Sequence, residues 1–135
     1  MRASIVIVSY NVKDFISQCL RSIYKSNLNK DDYEIIVVDN NSHDGTCNEI
    51  SDKYKDVKLV KNITNEGFSK AVNKAVSISN GEYIFILNPD VIVKENTFSS
   101  LLNKYDDIDN LGAIGPKILN SDGTIQHSCK RSFPT

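Results

Sequence analysis

Segments with two different hydrophobic periods alternate along this chain, and this alternation limits the folds it can adopt. Residues 3–9, 33–38 and 83–87 are continuous apolar runs rich in β-branched and aromatic residues, which predicts strands buried on both faces. The segments between them carry apolar residues every three or four positions, as amphipathic helices do. Alternation of this kind predicts an α/β fold with right-handed crossovers, a mostly parallel sheet and helices on both faces. The third run, residues 83–87, is expected to be a central strand.

The predicted helices begin near Val12, Cys47, Phe68 and Glu95. Asn11 is a predicted cap for the first helix. Asn80-Gly81 should end the third helix, because both residue types tolerate a positive φ. Weaker patterns predict an outer strand at 57–60 and two late strands at 112–119 and 124–128.

The composition is that of an ordinary globular protein. The chain has 135 residues, of which 40% are hydrophobic and 24% charged, enough for one domain with a core. A net charge of -1 gives no reason to expect nucleic acid as a partner. No apolar run approaches the length of a membrane span, and no signal peptide is recognisable, so the cytoplasm is the expected compartment. The three cysteines show no metal-binding or redox spacing and are predicted to be free thiols.

Polar segments follow the predicted strands at the points where those strands end. They are Ser9-Tyr10-Asn11, Asp39-Asn40-Asn41-Ser42, Asn65-Glu66-Gly67-Phe68 and Asn88-Pro89-Asp90. Parallel strands bring their carboxyl ends to the same edge of a sheet, and ligands of open α/β sheets bind at that edge. The sequence therefore predicts a binding site there.

Asp90 is the one acidic residue of the last polar segment, with Asn88 two positions before it. A single carboxylate suits Mg²⁺ or Mn²⁺, which keep several waters and bind largely through substrate phosphates. This combination suggests a nucleoside diphosphate held by a metal. Asp39 could accept hydrogen bonds from the base or ribose, and Tyr10 could pack on a base. Taken alone, Asn88-Pro89-Asp90 is more typical of a simple turn, and the other polar segments favour a site.

Several other functions lack their sequence features. No dinucleotide fingerprint, Walker loop or nucleophile elbow is present, and His43 and His127 have no recognisable nucleophile. A nucleotidyltransferase would need a glycine-rich, basic loop after the first strand, where residues 9–13 read Ser-Tyr-Asn-Val-Lys. A phosphoacceptor domain would need an acidic pair at the same place.

Taken together, these motifs resemble the inverting family 2 glycosyltransferases, which have the GT-A fold. The resemblance is carried by Ile-Val-Ile-Val-Ser-Tyr-Asn at 5–11, Val-Val-Asp-Asn-Asn-Ser-His-Asp-Gly-Thr at 37–46, and residues 65–73, 87–91 and 115–124. The tail, residues 126–135, is similar to a rhamnosyltransferase-like branch that builds cell-surface polysaccharide. The resemblance covers nearly all of the chain.

The resemblance implies a set of nucleotide-sugar-binding residues: Ser9, Tyr10, Asn11, Asp39, Asn41, Asn65, Gly67, Phe68, Asn88 and Asp90. The family's Asp-x-Asp site falls on residues 88–90, where Asn88 replaces the first carboxylate. Asp90 would ligate a Mg²⁺ or Mn²⁺ ion that bridges the donor diphosphate, and Asn88 would reach the ribose or a metal-bound water.

The implied reaction moves a sugar from a UDP- or TDP-sugar to a hydroxyl of a saccharide acceptor, with inversion. In the family, the catalytic base lies on the acceptor-binding half, downstream of the segment that residues 1–135 resemble. No residue of this sequence is therefore assigned that role. Residues 1–135 are therefore expected to be the donor-binding half of a truncated domain. The alternative is a module that binds nucleoside diphosphate without turnover. Dimerisation or partner contact is expected through the surface that later elements would cover, and partners could hold the protein at the inner face of the membrane.

Overall fold

The computed structural model describes residues 1–129, and residues 130–135, the end of the tail that carries the rhamnosyltransferase-like resemblance, lie outside the described residues. The chain forms two compact units, Met1–Asn96 and Thr97–Thr135. No helix among the described residues is long and apolar enough to cross a membrane.

The first unit alternates strand and helix as the sequence predicts. Its elements are β1 (Ala3–Ser9), α1 (Lys13–Tyr24), a 3-10 turn (Lys30–Asp32), β2 (Tyr33–Asp39), α2 (Thr46–Lys53), β3 (Lys58–Lys61), α3 (Phe68–Ser77) and β4 (Tyr83–Leu87). The strands form one sheet in the order β3-β2-β1-β4, and every pairing is parallel. The predicted α/β architecture is confirmed.

The two faces of the sheet follow from the direction of the crossovers. The chain moves one way across the sheet from β1 to β2 to β3, and then returns past β1 to β4. Right-handed crossovers therefore place α1 and α2 on one face and α3 on the other. Ala71 and Ala75 of α3 pack on the side chains of Val6, Ile36 and Val38. The alternate strand residues face the other way, where α1 contributes a fully buried stripe of Ile16, Cys19, Leu20 and Ile23.

The prediction that residues 83–87 form a central strand is wrong for the described sheet. β4 is an edge strand that pairs with β1, and Ile86 is 55% exposed. An apolar run predicts that a strand is largely buried. Its place in the sheet depends instead on the direction of each crossover connection. The edge position follows from the single reversal after β3.

The second unit contains α4 (Thr97–Asp106) and a short 3-10 turn (His127–Cys129). The strands predicted at 112–119 and 124–128 do not form in the described residues, where one antiparallel bridge joins Leu119 to Ile125. The turn between them does form, because Asn120 N donates to the Thr124 carbonyl at 2.7 Å. An isolated two-stranded hairpin has too little apolar contact to extend its ladder.

Glu34 ties the strands together at the end of the sheet opposite the polar loops. Its carboxylate accepts hydrogen bonds from Ser4 Oγ (2.6 Å), Lys58 Nζ (2.7 Å) and Asn80 N (2.6 Å). Burial acts to raise the pKa of Glu34, but these donors outweigh it and lower the pKa to about 2. The carboxylate therefore joins β1, β2, β3 and the segment that leads into β4.

Gly81 is required for a reason that the sequence did not indicate. Its φ is not positive, contrary to the expectation for a helix terminator. A Cβ at Gly81 would lie 2.3 Å from the backbone nitrogen of Ser4, so only glycine lets this segment approach β1.

Glu34 predicts a loss of stability in acid. Its pKa is about 2 in the folded chain and 4.5 when unperturbed, so its contribution is fully present above pH 4.5 and is lost as the pH falls towards 2. We expect Glu34→Gln to lower the free energy of unfolding at pH 7 by on the order of 2 kcal/mol, since the partner Lys58 is half-exposed and screened. Urea unfolding of both proteins from pH 7 to pH 2.5 should show the difference narrowing below pH 4.5. A constant difference would contradict this role of Glu34.

Candidate functional site

The loops that follow the four parallel strands lie at one edge of the sheet. Ser9, the last residue of β1, pairs with Asp39 of β2, which pairs with Lys61 of β3. Leu87 of β4 pairs with Ile7, so Asn88 lies level with Val8. The predicted convergence of polar segments at the carboxyl edge is therefore confirmed.

Asp39 is the most enclosed acidic group at this edge, with 1% of its surface exposed. Its Oδ1 accepts hydrogen bonds from Ser9 Oγ (2.7 Å) and Ser42 Oγ (2.6 Å), and its Oδ2 accepts one from Ser42 N (2.8 Å). Burial acts to raise the pKa of Asp39, but the donors, which include the Cys47 thiol, lower it overall. The carboxylate is thus an ionised link between the end of β1 and the loop after β2.

Asn11 holds the turn after β1 against the loop after β2. Its backbone N–H donates to Ser42 Oγ (2.9 Å), and its Oδ1 accepts from His43 N (2.8 Å). The prediction that Asn11 caps α1 is wrong: Asn11 has a φ of 49°, and its side chain bonds to the neighbouring loop instead. Asparagine tolerates this left-handed conformation better than most residues.

The first turn of α1 is capped from the loop after β2. Val12 N donates to Thr46 Oγ1 (3.2 Å) and Lys13 N donates to Asp44 Oδ2 (3.0 Å). Asp44 also accepts from Thr46 N (3.0 Å), so one carboxylate satisfies the starts of both α1 and α2. Burial acts to raise the pKa of Asp44, but these bonds lower it overall.

Asn40 joins the loop after β2 to the loop after β3. Asn40 is 3% exposed, and its Oδ1 accepts from Asn62 Nδ2 (2.9 Å) and from Glu66 N (3.3 Å). Its Nδ2 donates to the Gly67 carbonyl (3.2 Å). Lys74, on α3, donates from Nζ to Asn62 Oδ1 and to Glu66 Oε2. This set of residues, Asn40, Asn62, Glu66 and Lys74, is called the Asn40 cluster below.

The aromatic candidates stand at the surface of the edge. Tyr10 is 49% and Phe68 is 52% exposed, so both rings are available to a ligand. Asn41 has a φ of 67°, which turns the backbone between Asp39 and Ser42. Asn65 Oδ1 accepts from Gly67 N (3.0 Å), and Gly67 has a φ of 82° at the start of α3.

Asn88 and Asp90 follow β4 on the far side of β1 from the Asn40 cluster, and both are exposed. Among residues 1–129, no hydrogen bond joins them to the other three loops. The segment instead meets α1, where the Cys19 thiol donates to the Asn88 carbonyl (3.7 Å). Burial, and then the charge of Asp90, raise the pKa of Cys19 to about 12, so this thiol stays protonated and unreactive.

Asp90 fits a metal only as one ligand among several. In the described part of the chain, no group of three or more His, Cys, Asp or Glu residues is arranged to hold an ion. An exposed carboxylate with a neighbouring amide suits Mg²⁺ or Mn²⁺ when phosphate and water supply the remaining oxygens. The donor set therefore fits a cation that arrives with a diphosphate.

Sequence reasoning did not single out some residues that shape this edge: Ser42, Asn62 and Lys74. Ser42 belongs to a polar run that was recognised, but nothing in the run distinguishes the residue that bonds to Asp39. Asn62 and Lys74 lie twelve positions apart on a loop and a helix, and only the fold brings them together.

Two shallow grooves lie elsewhere on the first unit. One, of about 600 Å³, is lined by α1 and residues 92–95, and another, of about 540 Å³, by the carboxyl-terminal ends of α1 and α2. Arg21 lines both. Neither groove includes the polar loops, and the convergence of those loops is the better guide to a site.

The family model for glycosyl transferase family 2 matches residues 4–128. A poly(ribitol-phosphate) beta-glucosyltransferase of Bacillus spizizenii is 40% identical over 94 residues, which cover 67% of this chain. The chain spans 15% of the length of that relative.

Two solved structures have the same fold. The crystal structure of Staphylococcus aureus TarS 1-349 in complex with UDP-GlcNAc superimposes with a TM-score of 0.73 at 24% identity, over 87% of this chain and 38% of TarS 1-349. Mannosyltransferase PcManGT from Pyrobaculum calidifontis, in complex with GDP-Man and Mn²⁺, gives a TM-score of 0.71 at 26% identity, over 75% of this chain and 31% of its own. The predicted GT-A fold is confirmed.

Asp39→Asn tests the buried carboxylate. An amide places an N–H₂ group where donors from Ser9 and Ser42 already point, so we expect the free energy of unfolding to fall by about 1–3 kcal/mol. Asp90→Asn is the matched control: its side chain is exposed, and we expect a change within about 0.5 kcal/mol. Urea unfolding at pH 7 measures both, and equal effects would contradict the structural role of Asp39.

Proposed function

The chain belongs to glycosyl transferase family 2, and we propose that it is the donor-binding part of an enzyme that transfers a sugar from a nucleoside diphosphate sugar to an acceptor hydroxyl. The observation that carries the proposal is the convergence at one sheet edge of a closed polar network around Asp39, two exposed aromatic rings and a separate exposed carboxylate. The base, the ribose and the diphosphate of such a donor need surfaces of these different kinds.

The nucleoside end of the donor is assigned to the loops after β1, β2 and β3. Tyr10 offers a ring for the base, and the loop around Asn41 and Asn11 offers amide groups in a fixed backbone conformation. Asp39 supports these groups indirectly, because its Oδ1 accepts hydrogen bonds from Ser9 and Ser42 and so fixes the two loops that carry them. Asn65, Gly67 and Phe68 form the opposite wall.

The diphosphate end is assigned to Asn88 and Asp90. Asp90 would hold a Mg²⁺ or Mn²⁺ ion, with Asn88 beside it to reach the ribose or a bound water. When bound, such an ion neutralises charge on the leaving nucleoside diphosphate. The Mn²⁺ in the PcManGT complex supports this part of the proposal.

The reaction is proposed to proceed with inversion at the anomeric carbon, after a base takes the proton of the acceptor hydroxyl. No described residue is assigned as that base. Asp122 is exposed and already accepts hydrogen bonds from Thr124, so it is a poor candidate. The name of the Bacillus spizizenii relative supports a poly(ribitol-phosphate) polymer as the acceptor.

A module that binds nucleoside diphosphate without turnover is the second candidate. It is the interpretation of residues 1–129 in which no residue takes the part of the catalytic base. A donor-hydrolysis assay on this chain and on any longer natural form separates the two candidates. Turnover in either supports the enzyme, and binding without turnover in both supports the module.

The remaining sequence expectations stay predictions. They are a homodimer, a UDP- or TDP-sugar as the donor, and a cytoplasmic location with contact to the membrane through partners. Light scattering tests the first, and a monomer at all concentrations would contradict it. The exposed Ile86 and Ile92 side chains support an interface on the first unit.

Asp90→Ala tests the metal-bound diphosphate. We expect calorimetry of the wild-type chain to show tighter binding of UDP with Mn²⁺ than without it. The variant should lose this Mn²⁺-dependent gain by at least about tenfold, because the ion loses its protein ligand. Binding without Mn²⁺ should be unchanged or slightly stronger, since a negative charge near the phosphates is removed.

Asp52→Ala is the control, because Asp52 is an exposed carboxylate on α2, away from the polar loops. The control should behave as the wild type. Equal Mn²⁺ dependence in the Asp90 variant and the wild type would overturn the metal assignment and leave the nucleoside site to be judged by binding without metal.

A further inference from the structure

Lys74 bonds to both ends of the loop that precedes its own helix. Its Nζ donates to Oδ1 of Asn62, the first residue after β3, and to Oε2 of Glu66 at 3.1 Å. Asn62 is 6% exposed, so the bond from Lys74 reaches a buried amide. Because one ammonium group binds both residues, the loop between them cannot open without breaking a charge-assisted hydrogen bond.

The same loop bonds to the residue that follows Asp39 in sequence. Asn40 accepts from Asn62 Nδ2 and Glu66 N, and Asn62 N donates to the Asp39 carbonyl at 2.8 Å. Asn40 N donates in turn to the Ser9 carbonyl at 2.8 Å. A continuous chain of hydrogen bonds therefore runs from Lys74 through Asn62 and Asn40 to the end of β1.

We propose that Lys74 is a positioning residue for nucleotide binding, which holds the loop of residues 62–67 against Asn40 so that Asn65 and Gly67 form one wall of the nucleoside pocket. This rests on the proposed function for the identity of the ligand. In this role Lys74 needs no contact with the donor, and two of the three N–H donors of its ammonium group are engaged by Asn62 and Glu66.

Two other roles for Lys74 predict different effects of its substitution on nucleotide affinity and on stability. A direct contact with phosphate would depend on how many phosphates the ligand carries, because a lysine ammonium acts as a point charge. A purely structural role would lower the stability of the whole first unit and leave the affinity of the folded chain unchanged. Lys70, an exposed lysine one turn earlier on α3, provides the matched control.

The first experiment is amide hydrogen exchange of the ligand-free chain with Lys74→Met and Lys70→Met. We expect the Glu66 amide to exchange about tenfold faster in Lys74→Met, because neither Glu66 nor Asn62, which bonds to the acceptor Asn40, is then held by Lys74. Amides within β1 should be unchanged, and Lys70→Met should match the wild type. An unchanged loop, or a uniform increase through the sheet, would overturn the positioning role.

The second experiment is calorimetry with UMP and UDP, each with and without Mn²⁺. We expect Lys74→Met to weaken both nucleotides by the same factor, about tenfold, because the disturbed wall contacts the nucleoside that they share. Lys74→Arg should recover part of the loss, since arginine can donate to both Asn62 and Glu66. A much larger loss for UDP than for UMP would instead assign Lys74 to the phosphates, and no loss for either would refute the proposal.

The two proposals fail in distinguishable ways. If the wild-type chain binds neither UMP nor UDP, a uridine donor and the nucleotide role of Lys74 fall together, and hydrogen exchange still decides whether Lys74 holds the loop. If the wild type binds both nucleotides and Lys74→Met binds them equally well, the proposed function stands and only the role of Lys74 is refuted.

Discussion

The carboxylate of Asp39 is the interaction on which the candidate site depends. It is buried at the end of β2 and is satisfied by Ser9 from β1 and by Ser42 from its own loop. A buried charge without such donors would cost several kcal/mol, so the two loops are held together wherever the carboxylate stays ionised. Neighbouring bonds extend this order to both sides. Asn11 holds the turn after β1, Asp44 holds the start of α1, and the Asn40 cluster holds the loop after β3.

The order of the strands explains why these groups meet. Three strands follow one another in one direction, and a single reversal returns the chain past β1 to β4. The reversal places α3 on the opposite face from α1 and α2, and it sets the Asn88-Pro89-Asp90 segment beside β1 rather than beside β3. A nucleoside held between the loop of residues 62–67 and Tyr10 would therefore have its diphosphate on the side of β4, where Asn88 and Asp90 lie.

Much of the fold could be predicted from the sequence because periodicity and crossover handedness are local rules. The strands and helices of the first unit were found within one or two residues of their ends. The edge position of β4 was not predicted, and the late strands were predicted but do not form in the described residues. Strand order and hairpin stability depend on contacts between distant residues, which a local pattern does not record. Gly81 gives a third example: its need for glycine comes from the approach of Ser4, which is distant in sequence. In the site, side chains on recognised loops were identified, whereas Lys74 acts across the fold and carries no sequence signal.

A nucleoside diphosphate is proposed to lie along the carboxyl edge of this sheet, with its base near Tyr10 and its phosphates near Asp90. A crystal structure of the chain soaked with UDP and Mn²⁺ tests it most directly. We expect density for the base within contact of Tyr10 and the loop around Asn41, and a Mn²⁺ ion bound to an Asp90 oxygen and to the diphosphate. A nucleotide bound in the groove beside Arg21, or a Mn²⁺ ion remote from Asp90, would contradict it.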